Sequence, residues 1–430
     1  MEAEGRTFVI IGASLAGAKA AETLRGEGFA GRVVLIGDED FVPYERPPLS
    51  KDFMLGRQPV EKAYVHDAKW YDENKVELLL GRRATAVDPD AHTVTLDGGE
   101  SLTYDKLLLA TGSRVRTLNV SGTDAEGVHY LRTAKQAETL LTALRASPRV
   151  VIIGAGWIGL EIAAAAREHG CPVTVVEMDR LPLRRVLGDE VAALFRDLHA
   201  AHGVDFRFDT GVRELAVEDG RVRAVVLDDD TEVPADLVVV GVGVVPATEL
   251  AESAGLAVDN GVVTDSSLRT SDPDIYACGD VASWHHKLVG GRIRVEHWSN
   301  ALNGGPAAAR SMLGQNVNYD RLPYFFTDQY DLGMEYSGWV TPEDYDTVVF
   351  RCDRSALPEG VDDCDSLIDG RTPSFLAFWV AGGRVLAGMN VNIWDVTPQI
   401  QDLVRAGLSG TPVDVTRLAD PDVPLPDLLP

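Results

Sequence analysis

Closely spaced cysteines are missing from this sequence. Its four cysteines, Cys171, Cys278, Cys352 and Cys364, form no CxxC or CxxxxC spacing. A zinc knuckle holds its metal through such pairs, and a redox-active dithiol needs two neighbouring thiols. The sequence therefore excludes both kinds of site, and we expect no bound metal.

Long hydrophobic runs and an excess of positive charge are missing as well. The apolar run at 237–245 is among the longest and is too short to cross a bilayer, and residues 1–7 are polar and acidic. Asp and Glu number 66 against 40 Lys and Arg, a formal net charge of −26 that repels nucleic acid and anionic lipid surfaces. We therefore expect a cytoplasmic protein that binds neither nucleic acid nor membrane.

What the sequence contains is one glycine-punctuated segment in two copies. Residues 7–25 read TFVIIGASLAGAKAAETLR and residues 149–168 read RVVIIGAGWIGLEIAAAARE. A β-branched run, a glycine and apolar residues at helical spacing predict a strand, a tight turn and a helix in each copy. In the second copy Gly154, Gly156 and Gly159 complete GxGxxG, the turn at which a helix N-terminus holds a pyrophosphate.

An acidic residue stands about 20 residues after each turn, where a carboxylate can accept ribose hydroxyls. Glu177 has this place in the second copy and Asp38 or Glu39 in the first, whose second glycine is replaced by Ser14. An acid in a surface loop is the alternative interpretation for each copy. An acid follows both glycine turns at a similar distance in sequence. This repetition favours two Rossmann units that bind two different dinucleotides.

Other segments complete the fold prediction. The runs at 104–114 and 235–248 predict buried strands followed by glycine turns, and ACGDVA ends a strand at Asp280, either a ligand of a cofactor's sugar alcohol or a plain turn residue. After about Pro323 the crossover pattern stops, and residues 374–392 predict an antiparallel hairpin that turns at Gly382 and Gly383. We predict an α/β protein with two Rossmann-type dinucleotide-binding domains and a smaller α+β C-terminal domain.

Seven short motifs carry a resemblance to a known family. PYERPPLSK, ATGSR, LRT, GAGWIGLEIA, ACGDVA, EHWSNA and FFTDQYD follow one another along nearly the whole chain. In these motifs the sequence resembles the FAD-dependent, NADH-dependent ferredoxin reductases that serve bacterial cytochromes P450 and ring-hydroxylating oxygenases. That group is a branch of the glutathione-reductase-like flavoproteins, which also include apoptosis-inducing factor. The resemblance implies FAD-binding segments at 1–114 and 247–322, an NAD-binding domain at 115–246 and a C-terminal domain at 323–430.

The resemblance also implies individual site residues. Those implied for FAD are Gly12, Ser14, Gly17, Glu39, Arg46, Lys51, Ala110, Thr111, Gly112, Arg132, Asp280 and Trp298. Those implied for NADH are Gly154, Gly156, Ile158, Gly159, Glu177, Gly243 and, against the nicotinamide, Phe326. Lys51 and Glu161 are implied to be catalytic, as a charged pair beside the flavin N5, where electron density changes during hydride transfer.

The function implied is hydride transfer from NADH to FAD, followed by single-electron transfer to an iron–sulfur ferredoxin that supplies a cytochrome P450 or other oxygenase. Glu177 should repel the 2′-phosphate of NADPH, although Arg180 and Arg184 lie close enough in sequence to weaken that repulsion. We expect a monomer or weak homodimer. An NADH-responsive redox sensor like apoptosis-inducing factor is an alternative. An NADH oxidase or peroxidase is opposed by the absence of cysteine up to Val150.

A basic segment suggests where an acidic ferredoxin could dock on so acidic a protein. Residues 283–298 predict a hairpin that turns at Gly290 and Gly291 and carries Lys287, Arg292 and Arg294. These charges lie between two residues implied for FAD. The hairpin is therefore a candidate docking face, and an ordinary solvated hairpin is the alternative.

Overall fold

Contacts within the chain define two compact units. The computed structural model describes residues 5–352 and 374–429, so Cys364 lies outside the described residues. Unit 1 consists of Met1–Pro48, Pro59–Arg114 and Val244–Pro323. Unit 2 consists of Leu49–Gln58, Val115–Gly243 and Tyr324–Pro430. No helix within the described ranges is long and apolar enough to span a membrane.

The strands and helices are numbered in chain order. The strands are β1 Thr7–Ile11, β2 Arg32–Ile36, β3 Val76–Leu79, β4 Ala84–Asp88, β5 Thr93–Leu96, β6 Ser101–Thr103, β7 Lys106–Leu109, β8 Ser113–Val115, β9 Val128–His129, β10 Val150–Ile153, β11 Val173–Val176, β12 Val204–Arg207, β13 Val212–Glu218, β14 Arg221–Leu227, β15 Glu232–Pro234, β16 Leu237–Val240, β17 Val244–Pro246, β18 Val262–Thr264, β19 Ile275–Ala277, β20 Ala282–His286, β21 Gly291–Ile293, β22 Tyr324–Gln329, β23 Leu332–Gly338, β24 Thr347–Arg351, β25 Phe375–Ala381 and β26 Arg384–Val391. The helices are α1 Leu15–Gly26, α2 Ala68–Glu73, α3 Ala134–Leu144, α4 Trp157–Glu168, α5 Arg184–Ala201, α6 Glu249–Ser253, α7 Trp298–Met312, α8 Thr397–Leu408 and α9 Val415–Ala419.

The main sheet of unit 1 is parallel, with the strand order β19-β7-β1-β2-β3. Its strands are apolar at nearly every position because both faces are covered. Phe8 and Ile10 of β1 pack into one buried cluster with α1 and α7, whereas Val9 and Ile11 pack into a second cluster on the other face. This sheet sets the glycine turn after β1 at the carboxyl ends of parallel strands, where ligands of such sheets bind.

Unit 2 repeats this arrangement with a parallel sheet of order β12-β11-β10-β16-β9. The second glycine turn follows β10, and β11 next to it ends directly before Glu177. The predicted strand, turn and helix are therefore present in both copies of the repeat.

The last part of unit 2 is an antiparallel sheet of order β22-β23-β26-β25-β24, against which α8 packs. β25 and β26 form the predicted hairpin, and Gly382 and Gly383 turn it with positive φ angles of 54° and 74°. The predicted fold class is confirmed. The assignment of a cofactor to each segment stays a prediction.

Candidate active site

The first glycine turn, in unit 1, forms a narrow backbone cradle. Gly12 has a φ of +121°, and a Cβ there would lie 2.1 Å from the carbonyl oxygen of Ala110. Ser14 stands at the N-cap of α1 with a φ of −124°, which a residue with a Cβ adopts without strain. Its side chain caps no amide of the helix. The cradle therefore fits an anion at the helix N-terminus, and Ser14 does not disturb it.

The structure separates the two acids that follow β2. Glu39 is half-buried and accepts hydrogen bonds from the Tyr44 hydroxyl at 2.7 Å and from Arg46 at 3.2 Å. Asp38 is exposed and pairs with Arg83. The two oxygens of Glu39 keep acceptor capacity beyond these bonds. Of the two alternatives, the geometry favours Glu39 as the ribose ligand.

Residues of three predicted FAD motifs come together in unit 1. The indole N–H of Trp298 donates to Glu45 at 2.7 Å, which joins EHWSNA to PYERPPLSK. The Asp280 carboxylate acts electrostatically on both Arg46 and His297. Burial lowers the pKa of His297 to about 4, so this imidazole is neutral at pH 7. The predicted residues Gly17, Thr111 and Gly112 belong to the same unit, whereas Lys51 and Arg132 belong to unit 2.

The second glycine turn, in unit 2, has the same geometry. Gly154 has a φ of +100°, and a Cβ there would lie 2.5 Å from the carbonyl oxygen of Gly241. A Cβ at Gly159 would lie 2.1 Å from Gly154 O, whereas one at Gly156 would meet nothing within 4 Å. Gly156 caps α4 without a side chain, and Ile158 in the first turn is exposed. This turn also fits a pyrophosphate.

Glu177 is tied to the second turn by backbone hydrogen bonds. Its carboxylate accepts from Ala155 N at 2.7 Å and from Asp179 N at 2.9 Å. The two arginines that could weaken its repulsion of a phosphate are already paired. Arg180 pairs with Asp189, and Arg184 pairs with Asp189 at 2.6 Å and with Asp179 at 3.5 Å.

The predicted Lys51–Glu161 pair is present in unit 2. Lys51 Nζ lies 2.7 Å from Glu161 Oε1, and the side chains are 14% and 4% exposed. The carboxylate also accepts from the Ser50 hydroxyl and, at 2.6 Å, from Thr327 Oγ1. Lys51 Nζ stands 5.3 Å from the ring centroid of Phe326, within the range of a cation–π interaction. The predicted catalytic pair therefore lies next to Phe326, the residue predicted to face the nicotinamide.

Known proteins resemble this chain over nearly its full length. Rhodocoxin reductase of Rhodococcus erythropolis is 40% identical over 387 residues, which are 90% of this chain and 86% of that protein. The ferredoxin–NAD(+) reductase component of the anthranilate 1,2-dioxygenase system of Burkholderia cepacia is 38% identical over 98% of this chain and 99% of its own. A crystal structure of the covalent putidaredoxin reductase–putidaredoxin complex matches with a TM-score of 0.89 and 35% identity, covering 99% of this chain and 98% of that chain.

The family model of the pyridine nucleotide-disulphide oxidoreductases matches residues 6–305. This chain belongs to that family. The resemblance seen in the motifs is therefore confirmed. Membership in the pyridine nucleotide-disulphide oxidoreductase family implies FAD and NAD(H) as cofactors. Both glycine cradles, each followed by a half-buried acid, fit such dinucleotides.

The free thiols of Cys171 and Cys278 are poorly suited to disulfide chemistry. Burial raises the pKa of Cys278 to about 12 and also raises the pKa of Cys171. A thiolate is the reactive form of cysteine, so neither residue is a nucleophile at neutral pH. Among the described residues, both of these free cysteines are buried.

Several side chains that form hydrogen bonds with the predicted site residues were not predicted from the sequence. Ser50 and Thr327 bind Glu161, Tyr44 binds Glu39, and Glu45 binds Trp298. Each lies within a quoted motif or next to a predicted residue. Their polar character was visible in the sequence, but the partner of each was not.

The basic hairpin predicted as a docking face is β20 and β21, which pair antiparallel. Its turn precedes Gly291, which already belongs to β21. Arg294 is only 11% exposed, pairs with Glu296 and donates to the Asp280 carbonyl at 3.3 Å. Arg292 donates to the Thr264 carbonyl at 3.2 Å. Arg294 therefore supports the hairpin from within, whereas Arg292 is exposed apart from its backbone contact, and Lys287 is exposed in the turn.

Proposed function

We propose that this protein takes a hydride from NADH onto bound FAD and passes single electrons to an iron–sulfur ferredoxin that supplies a cytochrome P450 or other oxygenase. The observation that carries the proposal is the full-length likeness to reductases named for such systems, together with two dinucleotide cradles and a buried Lys51–Glu161 pair. Bound FAD would supply the conversion, because a flavin accepts electrons as a pair and can release them singly, whereas a nicotinamide cannot.

Unit 1 would bind most of the FAD. The turn at Gly12, Ser14 and Gly17 would hold the pyrophosphate through helix α1. Glu39 would accept the adenosine ribose, kept in place by Tyr44 and Arg46. The remaining FAD ligands we propose are Ala110, Thr111, Gly112, Arg132, Asp280 and Trp298.

Unit 2 would bind NADH and would supply the Lys51 ammonium next to the flavin ring. Gly154, Gly156 and Gly159 would hold the pyrophosphate at α4. The other NADH ligands we propose are Ile158, Glu177, Gly243 and Phe326. Lys51 would present a positive charge to the flavin, where electron density rises on reduction, and Glu161 would fix its ammonium in one position.

Ferredoxin-dependent reduction of cytochrome c tests the function. With NADH, the purified FAD-loaded protein and a panel of ferredoxins, we expect cytochrome c reduction that rises at least tenfold on adding the matching ferredoxin. Without ferredoxin the rate should stay near background. A stable charge-transfer absorbance after NADH addition, with no ferredoxin that accelerates turnover, would instead indicate a redox sensor.

Docking of the ferredoxin can be tested at the turn of the basic hairpin. We expect Lys287→Glu to raise the ferredoxin KM about threefold and to flatten its salt dependence, because steering charges act on association and are screened over about 8 Å at physiological salt. Stopped-flow reduction of the flavin by NADH should not change.

The matched control for this docking test is Lys69→Glu, the same charge reversal on an exposed residue of α2 in unit 1. An equal rise in ferredoxin KM for both variants would show that only net charge matters and would remove the hairpin as a docking face.

We also propose a cytoplasmic location, because the proposed donor NADH is supplied there. A monomer or weak homodimer remains our expectation. Fractionation and sedimentation of the FAD-loaded protein would test the two statements separately.

A further inference from the structure

Strand β22 carries two polar residues on its buried face. Phe325, Thr327 and Gln329 alternate along the strand on the side that packs toward the interior of unit 2, and Thr327 and Gln329 are each 1% exposed. A buried polar side chain is costly unless it is hydrogen-bonded. The partners of these two residues therefore indicate why they are there.

These residues form a continuous hydrogen-bonded chain that ends at Glu161. Thr327 Oγ1 donates to Glu161 Oε1 at 2.6 Å, and Gln329 Nε2 donates to Thr327 Oγ1 at 3.1 Å. His199 Nε2 lies 2.7 Å from Gln329 Oε1, and the Tyr330 hydroxyl lies 3.3 Å from His199 Nδ1. His199, in α5, is completely buried.

The Glu161 carboxylate at one end of the chain determines which group donates in every hydrogen bond. An ionised carboxylate only accepts, so Thr327 must donate its single proton to Glu161 and accept one from Gln329. The Gln329 carbonyl then accepts from His199 Nε2–H, which leaves Nδ1 to accept from Tyr330. Burial lowers the pKa of His199 to about 4, so the neutral imidazole that this pattern requires is present at neutral pH.

We propose that Thr327, Gln329 and His199 are positioning residues that hold the Glu161 carboxylate oriented toward Lys51. The inference rests on the proposed role of this pair beside FAD. Donors aligned toward a carboxylate stabilise its charged form, and a chain of such bonds strengthens each member. Through Glu161 the chain would fix the Lys51 ammonium without touching either cofactor.

Other charges also act on the pair and on the chain, and the comparison of variants must keep them constant. They are Asp328, which interacts with Lys51 and Glu161 and also with Asp52 and Glu335, His202 near His199, and Arg167 and Glu168 near Tyr330. The substitutions below leave all of these groups in place.

The first experiment compares Thr327→Val, which removes the donor and keeps the shape, with Thr327→Ser, which keeps the donor. Rates of flavin reduction by NADH are measured by stopped flow at neutral pH. A carboxylate with one donor fewer is held less firmly toward Lys51, so the rate of Thr327→Val should fall about tenfold. Thr327→Ser should keep the rate of the unchanged protein.

The second experiment interrupts the chain. In Gln329→Leu the donor to Thr327 is lost without a new charge, so the Thr327 hydroxyl is no longer held toward Glu161. This variant should share the lowered rate of Thr327→Val. A rate like that of the unchanged protein would overturn the proposal.

The third experiment uses the apoprotein and does not depend on activity. We expect Thr327→Val to raise the unfolding equilibrium constant about tenfold in the unchanged background and less than threefold in a Glu161→Leu background. Equal effects in both backgrounds, or equal rates of flavin reduction for the valine and serine variants, would reduce the chain to a packing role. Failure of the unchanged protein to reduce its flavin with NADH would contradict the proposed function and leave this apoprotein result standing.

Discussion

Lys51→Ala and Glu161→Ala should each lower the free energy of unfolding by about 3 kcal/mol, and the double variant should lose clearly less than the sum. Removing one member of a buried ion pair leaves the other charge without compensation, which costs about 3–5 kcal/mol. Removing both members leaves no such charge. The low end applies because Lys51 is 14% exposed. Urea unfolding of the apoproteins measures the cycle.

The same comparison of single and double variants should give a non-additive result for cofactor binding and catalysis. Both single variants should retain less FAD during gel filtration. Their rates of flavin reduction by NADH should fall by about 100-fold. In the double variant the two losses in rate should not multiply. Strictly additive losses in stability and in rate would mean that the two side chains do not act together.

A matched control lies on the same two segments of the chain. Arg57 pairs with Glu168 at 2.8 Å, but these side chains are 57% and 38% exposed. Exposed pairs are worth about 0–1 kcal/mol. Arg57→Ala should therefore change stability by less than 1 kcal/mol and leave flavin reduction unchanged.

NADH should exceed NADPH by about 100-fold in kcat/KM. A like-charge clash of several kcal/mol between Glu177 and the 2′-phosphate supports this magnitude. The pairing of Arg180 and Arg184 with Asp179 and Asp189 removes the cations that could relieve the clash. Steady-state ferredoxin reduction with each coenzyme measures the ratio, and comparable values would contradict the prediction.

Two variants separate the contributions to this preference. Glu177→Ala should bring the ratio below about tenfold, chiefly by improving NADPH. Asp189→Asn should release Arg180, leave Arg184 only its longer contact with Asp179, and raise kcat/KM for NADPH about threefold, with little change for NADH. Glu126→Gln is the control, because it neutralises an exposed acid that pairs with Arg221 elsewhere in unit 2. An Asp189→Asn variant that behaves like this control would show that the arginines do not reach the coenzyme.

The repeated glycine turns could be predicted because their causes are local. Gly12 and Gly154 need positive φ angles within a few residues of a strand end, and such requirements are written into consecutive positions. Glu177 could be predicted for the same reason, since one strand and one helix fix its distance from the turn. Spacing left Asp38 and Glu39 as alternatives, and the resemblance implied Glu39. The structure adds that Glu39 is held by Tyr44 and Arg46, partners that spacing could not indicate.

The basic hairpin shows the limit of reading charge from sequence. The hairpin itself was predicted, and its turn ends just before Gly291. Whether Arg294 faces solvent or Glu296 and the Asp280 carbonyl depends on how neighbouring segments pack. A charged residue in a predicted hairpin therefore does not by itself indicate a docking surface.

The sequence alone determined two glycine turns, the acids that follow them and, through its motifs, the identity of the charged pair. Only the tertiary structure decided what holds that pair. Ser50 and Thr327 reach Glu161 from 111 and 166 residues away, and His199 meets Gln329 across 130 residues. Hydrogen bonds act over about 3 Å, so such partners become neighbours only when the strands and helices pack, and no spacing in the sequence encodes them.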